Sequence, residues 1–447
     1  MIAAADLEAY LPRTRWFAGK GREFAVATAP GLEPGSAPRP GEVELRILLV
    51  TVAYEGGGSE TYQVPVSLHA APSEHLAHAF IGRDGDAWAY DAAHDREAMG
   101  ALLAGFADAA PGAPTSLGGA EIHRTSAPGS AIDPSWPSSP LTGEQSNTSI
   151  RFGDHALLKL FRRVEPGANP DIEVHRVLTE AGSGDVAELY GWVEAGGLQL
   201  GMLQEFLATA SDGFDMALAD VRASFAAAEP DAATYAGEAA GLGRALARIH
   251  LLLADAFGTA TRDAHALAAA MRDRLDRAIL AVPELDAHAP RLRAVYDAVA
   301  GLGEIPVQRI HGDLHLGQAL RTAAGWTIVD FEGEPAKTLA ERREPDSPWR
   351  DVAGMIRSFD YAPAVVRMSG STGDDERSLA WSLAAERAFV SAYEEESGSD
   401  GSSALLAAYL ADKAAYEAVY EARNRPTWVG IPLAAVARIG SPREETP

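Results

Sequence analysis

Two aspartates stand close together in the segment IHGDLHLGQALRTAAGWTIVDFEGE, residues 310–334. Asp313 follows a His-Gly pair, and Asp330 ends a short apolar run that is typical of a strand. A carboxylate within hydrogen-bond reach of an alcohol can orient the hydroxyl and accept its proton, so Asp313 is a candidate base. Gln318 and Asp330 offer the hard oxygen ligands that Mg²⁺ prefers. The segment therefore fits transfer of a phosphoryl group to an alcohol.

Residues upstream of this segment could hold the phosphates and base of a nucleotide. Lys159 lies in the apolar strand pattern HALLKLF, from which an ammonium can reach two phosphates, and Glu173 in the next helix could pair with it. The segment EQSNTS offers amides, hydroxyls and backbone N–H groups that could cover the phosphates. The phosphate contacts that it predicts are Gln145, Ser146, Asn147 and Thr148. The segment QEFL, with Glu205 and Leu207, fits a connector whose backbone hydrogen-bonds an adenine.

Each of these features taken alone also has a structural explanation. An isolated aspartate is usually a turn or cap residue, and most lysines are solvated. His311 is expected to hold its loop by hydrogen bonds; a zinc site with His315 is an alternative, but the pair lacks the helix and the glutamate of a zinc protease. The joint order of phosphate loop, strand lysine, helix glutamate, connector, base and two metal ligands is that of kinases, and this order favours phosphoryl transfer.

Composition narrows the class of protein. The 447 residues carry a formal net charge of −25, which disfavours broad binding to nucleic acid and to anionic membranes. The chain has no cysteine, so disulfides, thiolate nucleophiles and cysteine-bound zinc are excluded. The first residues do not resemble a signal peptide, and no run of about 18 apolar residues occurs. We expect a cytoplasmic protein of two or three domains.

The order of patterns predicts a β-rich start, a mixed middle and a mostly helical remainder. Residues 127–142 are dense in proline and serine, which predicts a linker or lid. From about residue 211 the spacing is helical, except at residues 307–332. The strands predicted before that point are 42–54, 60–70, a hairpin within 78–91, 147–152, 155–162, 186–194 and 198–206, and the helices are 95–110 and 169–182.

The motifs resemble those of known kinases. HGDLHLGQ is similar to the catalytic loop of the aminoglycoside-phosphotransferase and eukaryotic-like kinase superfamily, with Gln318 in place of an asparagine. RWFAGKGRE, EQSNTSI, IVDFEGEP and YEARNRPTWVGIPLAAVARI resemble blocks of the actinobacterial maltokinase-like family, and the similar blocks span nearly the whole chain. The resemblance implies ATP and Mg²⁺ as cofactors. It also implies Asp313 as the base, Gln318 and Asp330 as metal ligands, and Lys159 as a phosphate contact.

The same resemblance implies a fold and a domain organisation. We expect an α+β, bilobal eukaryotic-like kinase fold with an extra β-rich N-terminal cap domain and a mostly helical C-terminal lobe. The cap is predicted at residues 1–92. An intermediate subdomain with the phosphate loop and the ATP lysine is predicted at 93–205. The helical lobe at 206–447 is predicted to carry the catalytic and metal residues and the acceptor pocket.

The acceptor is expected to be a small-molecule sugar, because the resemblance covers both maltokinases and glucosamine kinases. The pocket should lie beside Asp313, walled by the helix at 405–423, although a packed helix with a solvated acidic stripe explains that helix equally well. Aromatic rings can stack on a sugar and charged groups can bind its hydroxyls. The predicted acceptor contacts are His311, Asp313, Tyr416, Glu417, Tyr420, Glu421, Arg425 and Trp428.

Two departures from the family pattern bear on the choice of sugar. Val429-Gly430 replaces a common Leu-Pro, and Trp349 replaces a common leucine. A bulkier wall suits a monosaccharide, so glucosamine, giving glucosamine 6-phosphate, is favoured over maltose, which would give maltose 1-phosphate. An aminoglycoside kinase and a non-catalytic protein with a degenerate kinase fold are the further alternatives. The sequence leaves monomer and homodimer both open.

Overall fold

The computed structural model describes residues 2–28, 38–126, 131–141, 146–227, 231–334, 337–370, 373–399 and 403–439. The chain forms two compact units, the first from Met1–Gly182 with Ala187–Ala208 and the second from Ser183–Val186 with Thr209–Pro447. The boundary predicted after residue 205 falls close to the change of unit after Ala208, whereas the predicted boundary after residue 92 lies inside the first unit. Among the residues that the structure describes, none of the helices could cross a membrane, because none has both the length and the apolar composition that this requires.

The first unit is built from antiparallel strands and three helices. Its helices are α1 (Ala4–Tyr10), α2 (Arg96–Asp108) and α3 (Pro170–Glu180). Its strands are β1 (Phe24–Thr28), β2 (Val43–Tyr54), β3 (Ser59–His69), β4 (Phe80–Asp84), β5 (Ala87–Asp91), β6 (Thr115–Leu117), β7 (Ala120–Arg124), β8 (Ser138–Pro140), β9 (Asn147–Phe152), β10 (Ala156–Phe161), β11 (Arg163–Val164), β12 (Leu189–Ala195) and β13 (Leu198–Glu205). One sheet has the order β1-β2-β3-β5-β4 with β11 on β3, and the other has the order β6-β7-β12-β13-β10-β9-β8.

Local signals explain most of these elements. The hairpin β2–β3 turns at glycines with positive φ, Gly57 and Gly58, where side chains are disfavoured. The Asp95 side chain accepts hydrogen bonds at the start of α2, and Asn169 does the same at α3, where Pro170 occupies the first turn. The predicted strands and helices of this unit are therefore observed, with boundaries that differ by a few residues.

One prediction for this unit was wrong in part. Within the Pro/Ser-rich segment predicted as a linker or lid, Ser138–Pro140 forms β8 and pairs with β9 at the edge of the seven-stranded sheet. A proline fits there because an edge strand leaves one side of its backbone without a ladder partner. Residues 127–130 and 142 of the segment lie outside the described residues.

A buried arginine joins the two sheets of the first unit. Arg162 lies between β10 and β11, is 1% exposed, and donates to Asp91 at 3.1 Å at the end of β5. Its guanidinium lies 4.6 Å from the centre of the Trp16 ring.

Tyr10 donates to the other oxygen of Asp91 at 2.7 Å. Gln63 on β3 adds hydrogen bonds to backbone carbonyls of Phe161 and Leu200. This network makes the N-terminal segment and the second sheet one compact unit.

The second unit is mostly helical. Its helices are α4 (Gly213–Ala226), α5 (Ala236–Phe257), α6 (Ala264–Ala281), α7 (Ala289–Ala300), α8 (Leu339–Arg342), α9 (Trp349–Met368), α10 (Asp375–Ser397), α11 (Ser403–Asn424) and α12 (Gly430–Arg438). Its strands are β14 (Ser211–Asp212), β15 (Thr259–Asp263), β16 (Glu304–Gln308), β17 (Ala319–Arg321) and β18 (Trp326–Ile328). The sheet β14-β17-β18 contains the predicted insert, but the sequence did not predict β15, whose side chains are mostly exposed and show no apolar alternation.

Helix α9 runs through the core of the second unit. Its buried side chains include Val352, Phe359 and Val366, and Phe359 meets Trp381 and Phe389 of α10 edge to face. Asp351 is also buried, although it is charged. A charged residue in such a helix needs partners within the protein, and Asp351 has them in His250, His311 and Gly312.

Candidate active site

The loop that carries Asp313 is anchored by Asp351 of α9. The backbone N–H groups of His311 and Gly312 donate to the two carboxylate oxygens of Asp351 at 2.7 and 2.9 Å. His250 on α5 lies 3.1 Å from the same carboxylate through its Nε2. Gly312 has φ of 87°, a conformation that glycine adopts without strain. The loop is thus fixed immediately before Asp313.

The electrostatics of Asp351 agree with this anchoring role. Burial alone would raise the pKa of the Asp351 carboxyl, but the hydrogen bond and charge of His250 and the backbone donors hold it below its ordinary value. Helix α9 can approach the loop closely because Gly354 has no side chain: a Cβ there would lie 2.4 Å from the carbonyl oxygen of Leu314. The loop and α9 therefore behave as one rigid part.

The two loop histidines have structural partners. His311 is 2% exposed, its Nε2 lies 3.0 Å from the Val329 carbonyl, and its ring packs on Phe331 at 4.8 Å. This arrangement fits the loop-holding role predicted for His311 and leaves little of the ring for the acceptor contact that was also predicted. His315 accepts from the Gly317 N–H through Nδ1 at 3.1 Å, and burial lowers the pKa of His315. The capping role accounts for His315 without a zinc ion.

The two predicted metal ligands lie side by side. Strands β17 and β18 pair Ala319 with Ile328, so the residues that flank this hairpin come together. Gln318 Nε2 donates to Asp330 Oδ2 at 2.8 Å. An amide oxygen and a carboxylate are both hard oxygen donors, so this pair fits Mg²⁺ by its chemistry.

Asp330 also has an unusual backbone. Its φ of 68° is the only positive value at a non-glycine position among the described residues. Aspartate tolerates the left-handed region better than most residues, but the conformation is sparsely populated. Because such positions cluster at functional sites, the backbone of Asp330 supports a role for its side chain beyond packing.

Asp313 lies at the wall of a cavity of about 540 Å³ within the second unit. Its Oδ1 accepts a hydrogen bond from Lys413 of α11 at 3.1 Å. The sequence analysis did not identify Lys413, because no motif links a lysine in a C-terminal helix to a base 100 residues earlier. The cavity is lined from α6, from the segment around α8 and the start of α9, and from α11. Its charged lining residues other than Asp313 are Arg262, Arg274, Glu334, Lys337, Glu341, Arg342, Glu344, Asp346, Arg350, Asp351, Asp412 and Lys413.

Of the predicted α11 contacts, Tyr416 lines this cavity. Its ring is 42% exposed, and burial together with the nearby charges of Glu334 and Asp313 raises the pKa of Tyr416 to about 12. Tyr416 therefore stays a neutral phenol across the physiological range and presents a ring to the cavity. The described residues that line this cavity do not include Tyr420, Arg425 or Trp428.

The acidic residues of α11 point away from solvent. Glu417 accepts from Arg357 of α9, with nitrogen–oxygen distances of 2.9 and 2.8 Å. Glu421 is 1% exposed and accepts from Arg425 and from Tyr361. Both the predicted sugar contacts and the alternative of a solvated acidic stripe are corrected by these ion pairs. The physical reason is that the i,i+4 face carrying both glutamates packs toward α9.

The remaining predicted residues of this region form an exposed aromatic group. Arg425 lies over the Trp428 ring at 4.3 Å and over the Tyr420 ring at 5.6 Å. Tyr420 is 45% exposed. Trp349, which was predicted to alter the acceptor wall, instead packs against Tyr393 in the core, so it carries no information about the acceptor.

In the first unit, Lys159 on β10 pairs with a buried aspartate. Its Nζ lies 2.9 Å from Asp171 Oδ2, and His175 lies 3.1 Å from the other oxygen. Burial alone would raise the pKa of Asp171, but the charges of Lys159 and His175 hold it well below its usual range. The sequence did not predict this pair; Asp171 is two residues before Glu173 and lies on the buried side of α3, and the pairing of Lys159 with Glu173 stays a prediction.

The predicted phosphate and adenine contacts of the first unit have mixed surroundings. Gln145 lies outside the described residues, and Ser146 is exposed. Asn147 and Thr148 begin β9, and the hydroxyl of Thr148 accepts from buried Arg162 at 2.8 Å. Glu205 ends β13 and Leu207 follows it; both are half-buried. Their roles toward a nucleotide stay predictions.

Two family models match the chain. One, described as the maltokinase N-terminal cap domain, matches residues 10–95, and the other, described as the phosphotransferase enzyme family, matches residues 138–381. Because the second model covers more than half of the chain, the chain belongs to the phosphotransferase enzyme family. It is therefore a phosphotransferase, as the sequence predicted.

Individual relatives share a common description. Glucosamine kinase of Streptacidiphilus jiangxiensis is 32% identical over 319 residues, which are 66% of this chain and 72% of the relative. Glucosamine kinase of Mycolicibacterium smegmatis is 28% identical over 323 residues, 66% of this chain and 78% of the relative. A solved glucosamine kinase in complex with glucosamine, ADP and inorganic phosphate matches with a TM-score of 0.71 and 23% identity, covering 98% of this chain and 99% of the other. The predicted α+β kinase-like fold with a β-rich cap and a helical C-terminal region is confirmed.

Proposed function

We propose that this phosphotransferase is an ATP-dependent glucosamine kinase that forms glucosamine 6-phosphate. The observation that carries the proposal is the geometry around Asp313: its carboxylate lies at the wall of a cavity, on a loop fixed by α9, close in sequence to the Gln318–Asp330 pair. Two relatives that are described as glucosamine kinases support the choice of acceptor. Dependence on ATP supports a cytoplasmic location.

The proposed reaction is a direct transfer. Asp313 orients the acceptor hydroxyl and takes its proton as the sugar oxygen bonds to the γ-phosphorus. The bond from that phosphorus to the β–γ bridging oxygen breaks, and ADP leaves. Gln318 and Asp330 would hold Mg²⁺, which when bound neutralises charge on the phosphate oxygens. Lys159 is proposed to contact the nucleotide phosphates.

The cavity fits a small polar acceptor. About 540 Å³ lies within the range of small-ligand pockets, and its lining combines an exposed aromatic ring, that of Tyr416, with many charged groups. Charged groups can satisfy sugar hydroxyls, and the ring can cover an apolar sugar face. These features support a sugar but favour no single one, so the preference for glucosamine depends on the relatives.

The test is acceptor competition with the purified protein. We expect kcat/KM for glucosamine to exceed that for maltose, glucose and kanamycin, and ³¹P NMR to place the phosphate on the 6-oxygen. Asp313→Asn should lower kcat at least about 100-fold while the affinity for ATP is kept, because only the base is removed. Asp273→Asn, which changes an exposed carboxylate on α6, is the matched control. A better rate with maltose and an anomeric phosphate would make the protein a maltokinase.

A further inference from the structure

The hydrogen bond from Lys413 occupies one of the two carboxylate oxygens of Asp313, the proposed base. Lys413 Nζ lies 3.1 Å from Asp313 Oδ1, and both side chains are little more than a quarter exposed. A carboxylate has two oxygens, so a cation fixed at Oδ1 restricts rotation of the group and leaves Oδ2 for another partner. Both residues line the same cavity, so that partner would be a group in the cavity.

Lys413 is itself held by charge. Burial alone would lower the pKa of Lys413, but the charges of Asp313 and Glu417 raise it above its ordinary value. Glu417 follows Lys413 by one helical turn and is fixed by Arg357 of α9. The ammonium also lies 5.7 Å from the centre of the Tyr416 ring. A lysine stem is flexible, so these neighbours limit the positions that the ammonium can take.

Asp313, Lys413 and Glu417 alternate in charge, and this alternation continues from α11 into α9 and α12. Arg357 is 2% exposed and donates to Asp360 as well as to Glu417. Asp360 in turn accepts from Arg438 of α12 at 2.7 Å. A series of opposite charges therefore links α12 through α9 and α11 to Asp313. Glu417, which the sequence predicted to bind the sugar, is an interior member of this series.

We propose that Lys413 is a positioning residue that fixes Oδ1 of Asp313 so that Oδ2 faces the acceptor hydroxyl, and that Glu417, one helical turn away, supports Lys413 through its negative charge. The inference rests on the proposed function, because it takes Asp313 to be the base. It assigns no contact between Lys413 and the sugar. Its signature is a loss in kcat, since misplacing a reacting group by about 1 Å can cost 100-fold in rate without a matching loss of binding.

The kinetic test uses single and combined variants. Lys413→Met should lower kcat roughly 10- to 100-fold with both KM values within about twofold, and Lys413→Arg should recover part of the loss. Glu417→Gln should lower kcat less, and combining it with Lys413→Met should add no further loss. In an Asp313→Asn background, Lys413→Met should change kcat by less than twofold, because the residue acts through Asp313. Arg423→Met removes an exposed charge from the same helix and should match the wild type.

Two kinetic outcomes would overturn the inference. A raised KM for the sugar with unchanged kcat would make Lys413 a sugar contact. An additional large loss in the Asp313→Asn background would show that Lys413 acts on the phosphoryl group or the sugar independently of the base. A wild-type protein that phosphorylates none of the sugars would instead refute the proposed function. The contact between Lys413 and Asp313 can be measured without any sugar kinase activity.

The contact itself can be tested without substrate. The chain has four lysines, Lys20, Lys159, Lys337 and Lys413, so NMR of labelled lysine side chains can be assigned by single substitutions. Replacing Asp313 by Asn should lower the pKa of Lys413, because a negative neighbour is removed, and Glu417→Gln should lower it as well. A Lys413 titration that is unchanged in both variants would refute the proposed contact whatever the acceptor is.

Discussion

The charges of single residues explain much of this site. Asp330 combines a left-handed backbone with a hydrogen bond from Gln318, and the two together orient its carboxylate. Backbone and side chain can be separated by substitution, because asparagine also tolerates the left-handed region and keeps an oxygen acceptor for Gln318. Asparagine lacks the negative charge and has an NH₂ group in place of the second oxygen.

Asp330→Asn should therefore weaken nucleotide binding more than it weakens the fold. We expect the affinity for ATP to fall about tenfold or more in the presence of Mg²⁺, because a hard anionic ligand is lost. The melting temperature should change little. Calorimetric titration at several Mg²⁺ concentrations and thermal unfolding measure the two effects, and unchanged affinity at every concentration would argue against a metal role.

At the scale of elements, helix α9 organises the site. It provides Asp351 to the catalytic-loop segment and Arg357 to α11, and Gly354 allows the close approach of the loop. The buried carboxylate of Asp351 has backbone donors that would be left without a partner if its charge or an oxygen were removed. Leaving buried groups unsatisfied costs about 1–3 kcal/mol each.

Asp351→Asn should destabilise the protein by about 3 kcal/mol at pH 7, because the loop donors lose a charged acceptor. The effect depends on pH. The pKa of Asp351 is depressed in the folded state, so its stabilisation is fully present above its ordinary value of 3.8 and is lost as the pH falls through the lower folded-state value. Urea unfolding at pH 7 and pH 4 and at the lowest pH that retains the fold should show the gap between wild type and variant narrowing at the acid end. A gap that widens there would contradict this assignment.

For the molecule as a whole, the stability of the first unit depends on a buried ion pair. Arg162 pairs with Asp91 where both are fully buried, and the pair connects the N-terminal segment with the second sheet. Burial alone would raise the pKa of Asp91, but Arg162 and Tyr10 hold it below its ordinary value. Removing one partner of such a pair leaves an uncompensated buried charge.

Arg162→Met should destabilise the protein by about 3–5 kcal/mol. The adjacent Arg163 pairs with Glu60 at 3.3 Å but is 41% exposed, so Arg163→Met should cost less than about 1 kcal/mol and is the matched control. Chemical unfolding followed by far-UV circular dichroism measures both. Equal effects of the two substitutions would refute the special role of the buried pair.

Local pattern was sufficient for most elements. The apolar alternation of β2 and β3, the glycines of their turn, and the cap of α3 at Asn169 are set by residues close in sequence. The motif around Asp313, Gln318 and Asp330 is similarly local, because a short hairpin brings its ends together. The sequence missed β15, whose exposed strand carries no apolar signal.

The kinase-like order of motifs could be read from the sequence alone, and so could the candidates for the base and for the metal ligands, whose roles stay predictions. Pairs between distant charged residues, such as Lys159 with Asp171 and Asp313 with Lys413, became visible only in the folded chain. Helical spacing predicts that Glu417 and Glu421 share a face, but it cannot tell whether that face meets solvent, sugar or Arg357. The reason is physical: periodicity fixes directions within one element, whereas the partners across a core depend on how distant elements pack.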